Sequence, residues 1–115
     1  MLKTMPELVA EARANLNTLT ADEASAMQKA QGGVIIDVRD EGEYQSKAAK
    51  GTVHVSRGML ESKMPTLYPD ASTPIFIHCA SGGRATFAAE QLQRMGYENV
   101  WVITCKVDDV ITALN

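Results

Sequence analysis

The clearest pattern along the chain is a set of short apolar runs that are rich in β-branched residues. Strands of four or five residues are common in globular domains, whereas helices are usually longer than these runs. Where nearly every position is apolar, as in VIIDV, both faces of the strand are expected to be buried, which is typical of a parallel sheet covered by helices. Four strands are predicted in this way, at residues 34–38, 52–55, 74–78 and 100–104.

Between these runs, apolar residues recur at the spacing of a helix. Two helix starts are marked by a threonine with a glutamate three residues later, Thr4 with Glu7 and Thr20 with Glu23, which is the pattern of a capping box. The second of these helices is expected to end at the glycines at positions 32 and 33. The predicted buried faces of the other helices are Leu8, Val9, Ala12 and Leu16; Ala85, Ala88, Ala89, Leu92 and Met95, closed by Gly96; and Val107, Val110, Ile111 and Leu114.

Strands that alternate with helices predict an α/β fold, with a parallel sheet and helices on both of its faces. The 115 residues are expected to form one domain, with residues 1–18 as an N-terminal helix appended to the core. A net charge of −3 argues against nucleic acid as a partner. Since no apolar stretch has the length of a membrane span or the pattern of a signal peptide, we expect no membrane partner and a cytoplasmic location.

The cysteine content points to free thiols. Cys79 and Cys105 are too few for the disulfide framework of a small secreted protein, and their spacing matches no zinc site. Nothing in the sequence indicates a metal ion or an organic cofactor.

The segment PIFIHCASGGRA places Cys79 where a predicted strand turns into a helix, at the edge where parallel sheets bind ligands. The small residues that follow let their N–H groups point inward, and the helix that begins near Gly83 adds its own unpaired N–H groups and a positive dipole end. Arg84 adds a fixed positive charge. Such surroundings lower the pKa of a cysteine from about 8.5 and make it a nucleophile. The alternative is a buried structural cysteine before a tight turn.

These residues resemble a known family. CASGGRA, with VIIDVRDEGEY and GTVHVSRGMLE upstream of it, is similar to the motifs of rhodanese-like sulfurtransferases, in the same order along residues 19–102. The resemblance implies a five-stranded parallel sheet flanked by helices. It also implies thiosulfate sulfurtransferase activity, in which the Cys79 thiolate takes the outer sulfur of a donor such as thiosulfate and releases sulfite. The resulting persulfide would then pass its sulfur to cyanide or a thiol.

The resemblance further implies the residues that bind the sulfur and the partners of the reaction. Backbone N–H groups of the loop would hold the terminal sulfur, and the arginine would also bind an anionic donor. Small sulfur-containing anions and protein thiols or persulfides are the implied partners. The loop residues concerned are Ala80, Ser81, Gly82, Gly83 and Arg84.

The length of this loop separates two activities found on the same fold. Phosphatase and arsenate-reducing relatives have five residues between the cysteine and the arginine, whereas this chain has four. The smaller ring favours a sulfur atom over a tetrahedral phosphate.

The chain departs from the family after its last predicted strand, where Cys105 and Lys106 replace two usual glycines and the last helix lacks tryptophan. Cys105 is expected near Cys79, as a resolving thiol or as a small residue in place of glycine. Lys106 and Arg57 are either at the rim of the pocket or on the plain surface. Two other functions therefore stay open: a non-catalytic sensing or interaction module, and a thiol–disulfide redox switch between the two cysteines. The oligomeric state also stays open.

Other polar residues near these motifs have structural interpretations. Strand alternation points the side chain of His78 away from that of its neighbour, the nucleophile, and His54 is expected to be packed or partly exposed. Asp37 is expected to cap the turn that follows it, and Arg39 to pair with Glu43 at helical spacing. Three methionines are expected to fill the core or its rim: Met59, Met64 and Met95.

Overall fold

A computed structural model describes all 115 residues of the chain. Five strands and six α-helices alternate along it. The strands are β1 (Asn17–Leu19), β2 (Val34–Asp37), β3 (Val53–His54), β4 (Ile75–His78) and β5 (Val100–Ile103). The helices are α1 (Met5–Arg13), α2 (Ala21–Gln31), α3 (Glu41–Ser46), α4 (Leu60–Leu67), α5 (Gly83–Met95) and α6 (Val107–Leu114), with a short 3-10 turn (Arg57–Met59) before α4.

The five strands form one parallel sheet in the order β1-β5-β4-β2-β3. β4 lies at its centre, where Ile75 pairs with Val34 of β2 on one side and with Val100 of β5 on the other. Because all strands run in the same direction, the loops that follow β2, β4 and β5 meet at one edge of the sheet. The predicted parallel α/β sheet is confirmed.

The buried strand residues alternate between two hydrophobic clusters, one on each face of the sheet. Ile36 and Ile77 pack with residues of α4 and α5. Their neighbours Ile35 and Phe76 pack with residues of α2 and α6 on the opposite face. Since helices cover both faces, every position of β2 and β4 is buried, which accounts for their nearly uniform apolar sequences.

The helix starts and the two glycine ends follow the signals predicted from the sequence, whereas α1 ends at Arg13, before the predicted Leu16. Both capping boxes form, with Thr4 and Thr20 each accepting a hydrogen bond from the backbone N–H of a glutamate three residues later. α2 and α5 end at Gly32 and Gly96, whose φ angles are +79° and +111°. Glycine adopts this left-handed conformation without the steric penalty that a Cβ imposes.

Several details differ from the sequence prediction. β1 was missed because only Leu19 of its three residues is buried, so it forms no apolar run. Leu8 and Met95 were placed on buried helix faces but are 42 % and 38 % exposed. Leu8 is exposed because α1 packs chiefly on α5 and not on the sheet, and Met95 is the last residue of its helix. Of the other methionines, Met64 is buried and Met59 is exposed.

None of the six helices is both long enough and apolar enough to cross a membrane.

Candidate active site

Cys79 directly follows the central strand and begins the loop that leads into α5. Its thiol is free, and only 1 % of the residue is exposed. The side chain packs in the cluster between the sheet and helices α4 and α5. Cys79 therefore lies at the carboxyl edge of the sheet, as its position in the sequence indicates.

Two backbone N–H groups donate hydrogen bonds to the Cys79 sulfur. The donor–sulfur distances are 3.1 Å from Gly82 and 3.4 Å from Ala85. Gly82 has a φ of +102°, a conformation that turns the loop back towards the sulfur and that glycine adopts readily. Ala85 lies in the first turn of α5, where N–H groups have no partner within the helix. The two N–H dipoles and the helix N-terminus all stabilise negative charge on the sulfur.

Ala85 was not named among the loop residues expected to bind the sulfur, although the unpaired N–H groups at the start of this helix were expected to contribute. Of the predicted loop residues, Gly82 contacts the sulfur, while the backbone carbonyl of Ala80 accepts a hydrogen bond from Val107 of α6 at 3.0 Å. This bond ties the loop to the start of the last helix. The rule that a helix leaves its first N–H groups unpaired predicted donors at this helix start, but it did not single out Ala85 as the one that reaches the sulfur.

Arg84 forms a two-pronged ion pair with Glu43, the third residue of α3. The nitrogen–oxygen distances are 2.6 Å and 3.0 Å, and about a third of each side chain is exposed. The hydrogen bonds from Arg84 lower the pKa of Glu43 to about 2, and the same contact raises the pKa of Arg84. Glu43 is placed by its own capping contact, since its carboxylate also accepts a hydrogen bond from the backbone N–H of Asp40.

The expected pair between Arg39 and Glu43 is therefore wrong. Arg39 instead binds the carboxylate of Asp37 through Nε and Nη2, at distances of 2.8–3.1 Å, and donates to the backbone carbonyl of Lys47. Both members of the pair are almost fully buried, so Arg39 points into the protein where helical spacing alone suggests a surface contact. Asp37 also accepts from the backbone N–H of Arg39, which confirms that it caps the turn.

The two histidines lie away from the sulfur. His78 is buried on the other face of β4, with Nε2 at 3.6 Å from the carboxylate of Asp37. Burial lowers the pKa of His78, so its ring is neutral at physiological pH. His54 stacks on Tyr44 with ring centres 4.6 Å apart, and its Nε2 lies 2.7 Å from the carbonyl oxygen of Arg39. Both arrangements agree with the structural interpretations made from the sequence.

The Rhodanese-like domain family model matches residues 20–109, which include the sheet from β2 onward and the whole Cys79 loop. The chain belongs to the rhodanese-like family. The match begins after α1, so this helix lies outside the region that the family model describes.

Solved structures of similar fold support this assignment. A chain from Rhodopseudomonas palustris CGA009, named "Protein of Unknown Function RPA3614, Possible Tyrosine Phosphatase", is 27% identical with a TM-score of 0.84, and the match covers 98% of this chain and 92% of that one. The polysulfide-sulfur transferase homodimer of Wolinella succinogenes is 25% identical with a TM-score of 0.77, covering 92% of this chain and 80% of that one.

A relative in Bacillus subtilis (strain 168), named "Putative sulfur carrier protein YrkF", is 33% identical over 66 residues, which are 57% of this chain and 35% of that protein. The chain thus matches only about a third of the length of this relative.

In this rhodanese-like domain Cys105 does not face Cys79. It packs on the opposite face of the sheet with residues of α2 and α6, and its sulfur accepts a hydrogen bond from the backbone N–H of Ala21 at 3.3 Å. The two cysteines follow adjacent strands, but their side chains leave the sheet in opposite directions. This arrangement fits a small residue in place of the family's glycine and does not fit a resolving thiol.

The remaining candidate residues, Arg57 and Lys106, form no hydrogen bond with the sulfur. Arg57 pairs with Glu61 at 2.8 Å, in the first turn of α4. Lys106 precedes α6, is exposed and forms no ion pair. No group of three or more His, Cys, Asp or Glu side chains is arranged to hold a metal ion.

Proposed function

We propose that this rhodanese-like domain is a sulfurtransferase that carries sulfane sulfur as a persulfide on Cys79. The observation that carries the proposal is the convergence of the Gly82 and Ala85 N–H groups on a buried cysteine sulfur. Oriented N–H dipoles at a site shielded from water stabilise an anion without further rearrangement, and so favour the thiolate that acts as nucleophile. The names of the Wolinella and Bacillus relatives refer to sulfur transfer and sulfur carriage, which supports the same reaction class.

In the first step, the Cys79 thiolate attacks the outer sulfur of a donor such as thiosulfate. A bond forms between the two sulfurs, the bond between the sulfurs of thiosulfate breaks, and its electron pair leaves with sulfite. The negative charge of the new persulfide lies on its outer sulfur. In the proposal, the backbone N–H groups of the loop residues 80–84 hold this sulfur, in the way that Gly82 and Ala85 now hold Sγ.

Arg84 is the proposed contact for an anionic donor. Glu43 occupies one N–H of each of its two terminal nitrogens, so the guanidinium has further N–H groups to offer. The ion pair also fixes the orientation of the guanidinium beside the loop, which reduces the entropy lost when a donor binds.

In the second step, a thiophilic acceptor such as cyanide attacks the outer sulfur. The bond between the two sulfurs of the persulfide breaks, thiocyanate leaves, and the electron pair returns to Cys79 as thiolate. Protein thiols are alternative acceptors in the proposal. Because the Cys79 thiol must stay reduced for this cycle and both cysteines are free, we propose a reducing compartment, such as the cytoplasm, as its location.

The experiment follows sulfur on the protein and in the product. Purified protein is incubated with thiosulfate or with polysulfide, and its intact mass is measured before cyanide is added and thiocyanate is determined. The wild type should gain the mass of one sulfur atom and release it as thiocyanate, and Cys79→Ala should do neither. Cys105→Ala is the matched control and should behave as the wild type. If neither signal appears with thiosulfate or with polysulfide, the proposal is refuted and a non-catalytic sensing module is favoured.

The name of the Rhodopseudomonas neighbour makes phosphatase activity a second outcome to measure. The four residues between Cys79 and Arg84 form a small ring, which argues against a tetrahedral phosphate. Hydrolysis of an aryl phosphate that depends on Cys79, without sulfur loading, would replace the sulfurtransferase proposal.

A further inference from the structure

Helix α1, which the family match does not include, packs against α5 beside the sulfur loop. Its side chains come so close to the loop that a Cβ added to Gly83 would lie 2.5 Å from the terminal methyl of Met5. Between α1 and the loop lies a groove of about 230 Å³, and Arg13 is the only charged residue that lines it. The last turn of α1 therefore brings a positive charge to the loop that holds Cys79.

A chain of hydrogen bonds runs from Arg13 to Gly82, the residue whose N–H contacts the sulfur. Nε of Arg13 donates to the hydroxyl oxygen of Thr86 at 3.0 Å. The Thr86 hydroxyl donates to the backbone carbonyl of Gly82 at 2.7 Å. The N–H of Gly82 in turn donates to the Cys79 sulfur at 3.1 Å. We call this set of three contacts the Arg13–Thr86–Gly82 relay.

Each contact in the relay limits the freedom of the next one. Thr86 is fully buried and has a single hydroxyl hydrogen. Because its oxygen accepts from Arg13, that hydrogen is directed to the only other partner, the Gly82 carbonyl. Gly82 has no side chain to hold its position and has a φ of +102°. Its carbonyl accepts from both the hydroxyl and the backbone N–H of Thr86, at 2.7 Å and 3.0 Å, and these contacts hold the residue whose N–H meets the sulfur.

The charge of Arg13 is also available to the site. Arg13 forms no ion pair, and Nε is the only nitrogen of its guanidinium group that has a hydrogen-bond acceptor. Its Nη2 lies against Gly82, since a Cβ built there would be 2.5 Å from that nitrogen. Arg84, in contrast, is paired with Glu43. Of the two arginines at the loop, Arg13 is the one whose charge no carboxylate balances.

We propose that Arg13 is a positioning residue: through Thr86 it holds the carbonyl of Gly82, and so fixes the residue whose N–H points at the sulfur of Cys79, and its charge favours the thiolate and the later persulfide anion. For the persulfide, this inference rests on the proposed sulfurtransferase function. For the thiolate, it stands on the relay alone.

The test measures the alkylation of Cys79 by iodoacetamide in a Cys105→Ala background, at neutral pH and at a pH of about 10, where ordinary thiols are mostly ionised. The ratio of the neutral rate to the alkaline rate reports how far the protein favours the thiolate, and it cancels changes in access to the buried sulfur. Thr86→Val removes the hydroxyl at nearly constant shape, and Arg13→Met removes the charge. Each should lower the ratio about three- to tenfold, which corresponds to the net contribution of one ordinary hydrogen bond.

Three comparisons separate the relay from a general loss of packing. Thr86→Ser keeps the hydroxyl and should keep the ratio within about twofold of the wild type. Arg94→Met, on the exposed end of α5, should leave the ratio unchanged. Because both residues act through Gly82, the double variant of Arg13 and Thr86 should lose no more than the larger single loss.

An unchanged ratio in a folded Thr86→Val or Arg13→Met protein would overturn the proposal, as would fully additive losses in the double variant. Thermal unfolding identifies which variants are folded, and Thr86→Ser against Thr86→Val remains a valid pair if Arg13→Met does not fold. The readout needs no sulfur donor. A lowered ratio in a protein that transfers no sulfur would therefore support the relay and refute only the proposed function.

Discussion

Replacing Gly82 by alanine tests both the backbone conformation and the packing of α1 on the sulfur loop. The residue has a φ of +102°, and the added Cβ would lie 2.5 Å from Nη2 of Arg13. The next atoms, the carbonyl oxygen and Cα of Thr104, would be at 3.6 Å and 3.7 Å, which are ordinary contacts. The substitution therefore has two separable costs.

The first cost is the left-handed backbone, which for an alanine amounts to about 1–2 kcal/mol. The second is the displacement of Arg13, whose side chain can move aside but then loses its hydrogen bond to Thr86. For a partly buried arginine this bond contributes about 1 kcal/mol. We expect Gly82→Ala to lower the free energy of unfolding by about 2–3 kcal/mol in total.

Urea unfolding followed by circular dichroism measures this loss. With a slope of about 2 kcal/mol per molar urea, the midpoint should fall by about 1–1.5 M. Two other glycines serve as controls, because nothing lies within 4 Å of a Cβ added to either. Gly51→Ala, at a φ of +76°, should show the backbone cost alone. Gly42→Ala, inside α3, should stabilise the protein by about 0.5–1 kcal/mol.

The contact with Arg13 is isolated by the difference between Gly82→Ala and Gly51→Ala. In an Arg13→Met background, Gly82→Ala should cost only as much as Gly51→Ala does. If Gly82→Ala already matches Gly51→Ala in the wild-type background, α1 does not press on the loop and the reasoning about Arg13 is refuted.

Three further predictions concern other contacts. The pKa of Glu43 falls from its ordinary value of 4.5 to about 2 in the folded protein. The ionised side chain therefore stabilises the fold fully above about pH 4.5, and this stability is lost as the pH falls through about 2. Because the pair with Arg84 is partly exposed, this contribution is below about 1 kcal/mol. Urea midpoints of Glu43→Gln should fall less than those of the wild type between pH 4.5 and 2, and parallel curves would contradict this. Asp37→Asn should cost about 3–5 kcal/mol, because it leaves the buried guanidinium of Arg39 without its partner; a thermal midpoint near that of the wild type would show that the pair is not needed. Cys105→Ser should leave the formation of persulfide unchanged in intact-mass measurements, whereas a loss of persulfide would make this thiol part of the reaction.

Where the fold depends on local chemistry, the sequence was sufficient to predict it. The two capping boxes, the glycine that ends α5 and the uniformly apolar strands each require only neighbouring residues and general burial rules. β1 was missed because its three residues carry no apolar pattern, and its extended conformation depends on its pairing with β5. The candidate nucleophile came from the loop residues themselves, and the resemblance to a known family added the five-stranded sheet and the expected sulfur transfer.

The partners of the site residues were decided by the tertiary structure. Helical spacing favours Arg39 as the ion-pair partner of Glu43. The fold instead brings Arg84 to Glu43 from the start of α5, 41 positions away, and buries Arg39 against Asp37. Likewise, Arg13 reaches Thr86 across 73 positions.

The chain by itself determined that Cys79 ends a buried strand before a loop of small residues and a helix start, because these features are encoded within about ten consecutive positions. Only the folded molecule decided that Cys105 faces away from it and that α1 covers its loop. Side-chain direction at the end of a strand and the docking of a separate helix depend on packing between distant segments, which no local pattern specifies.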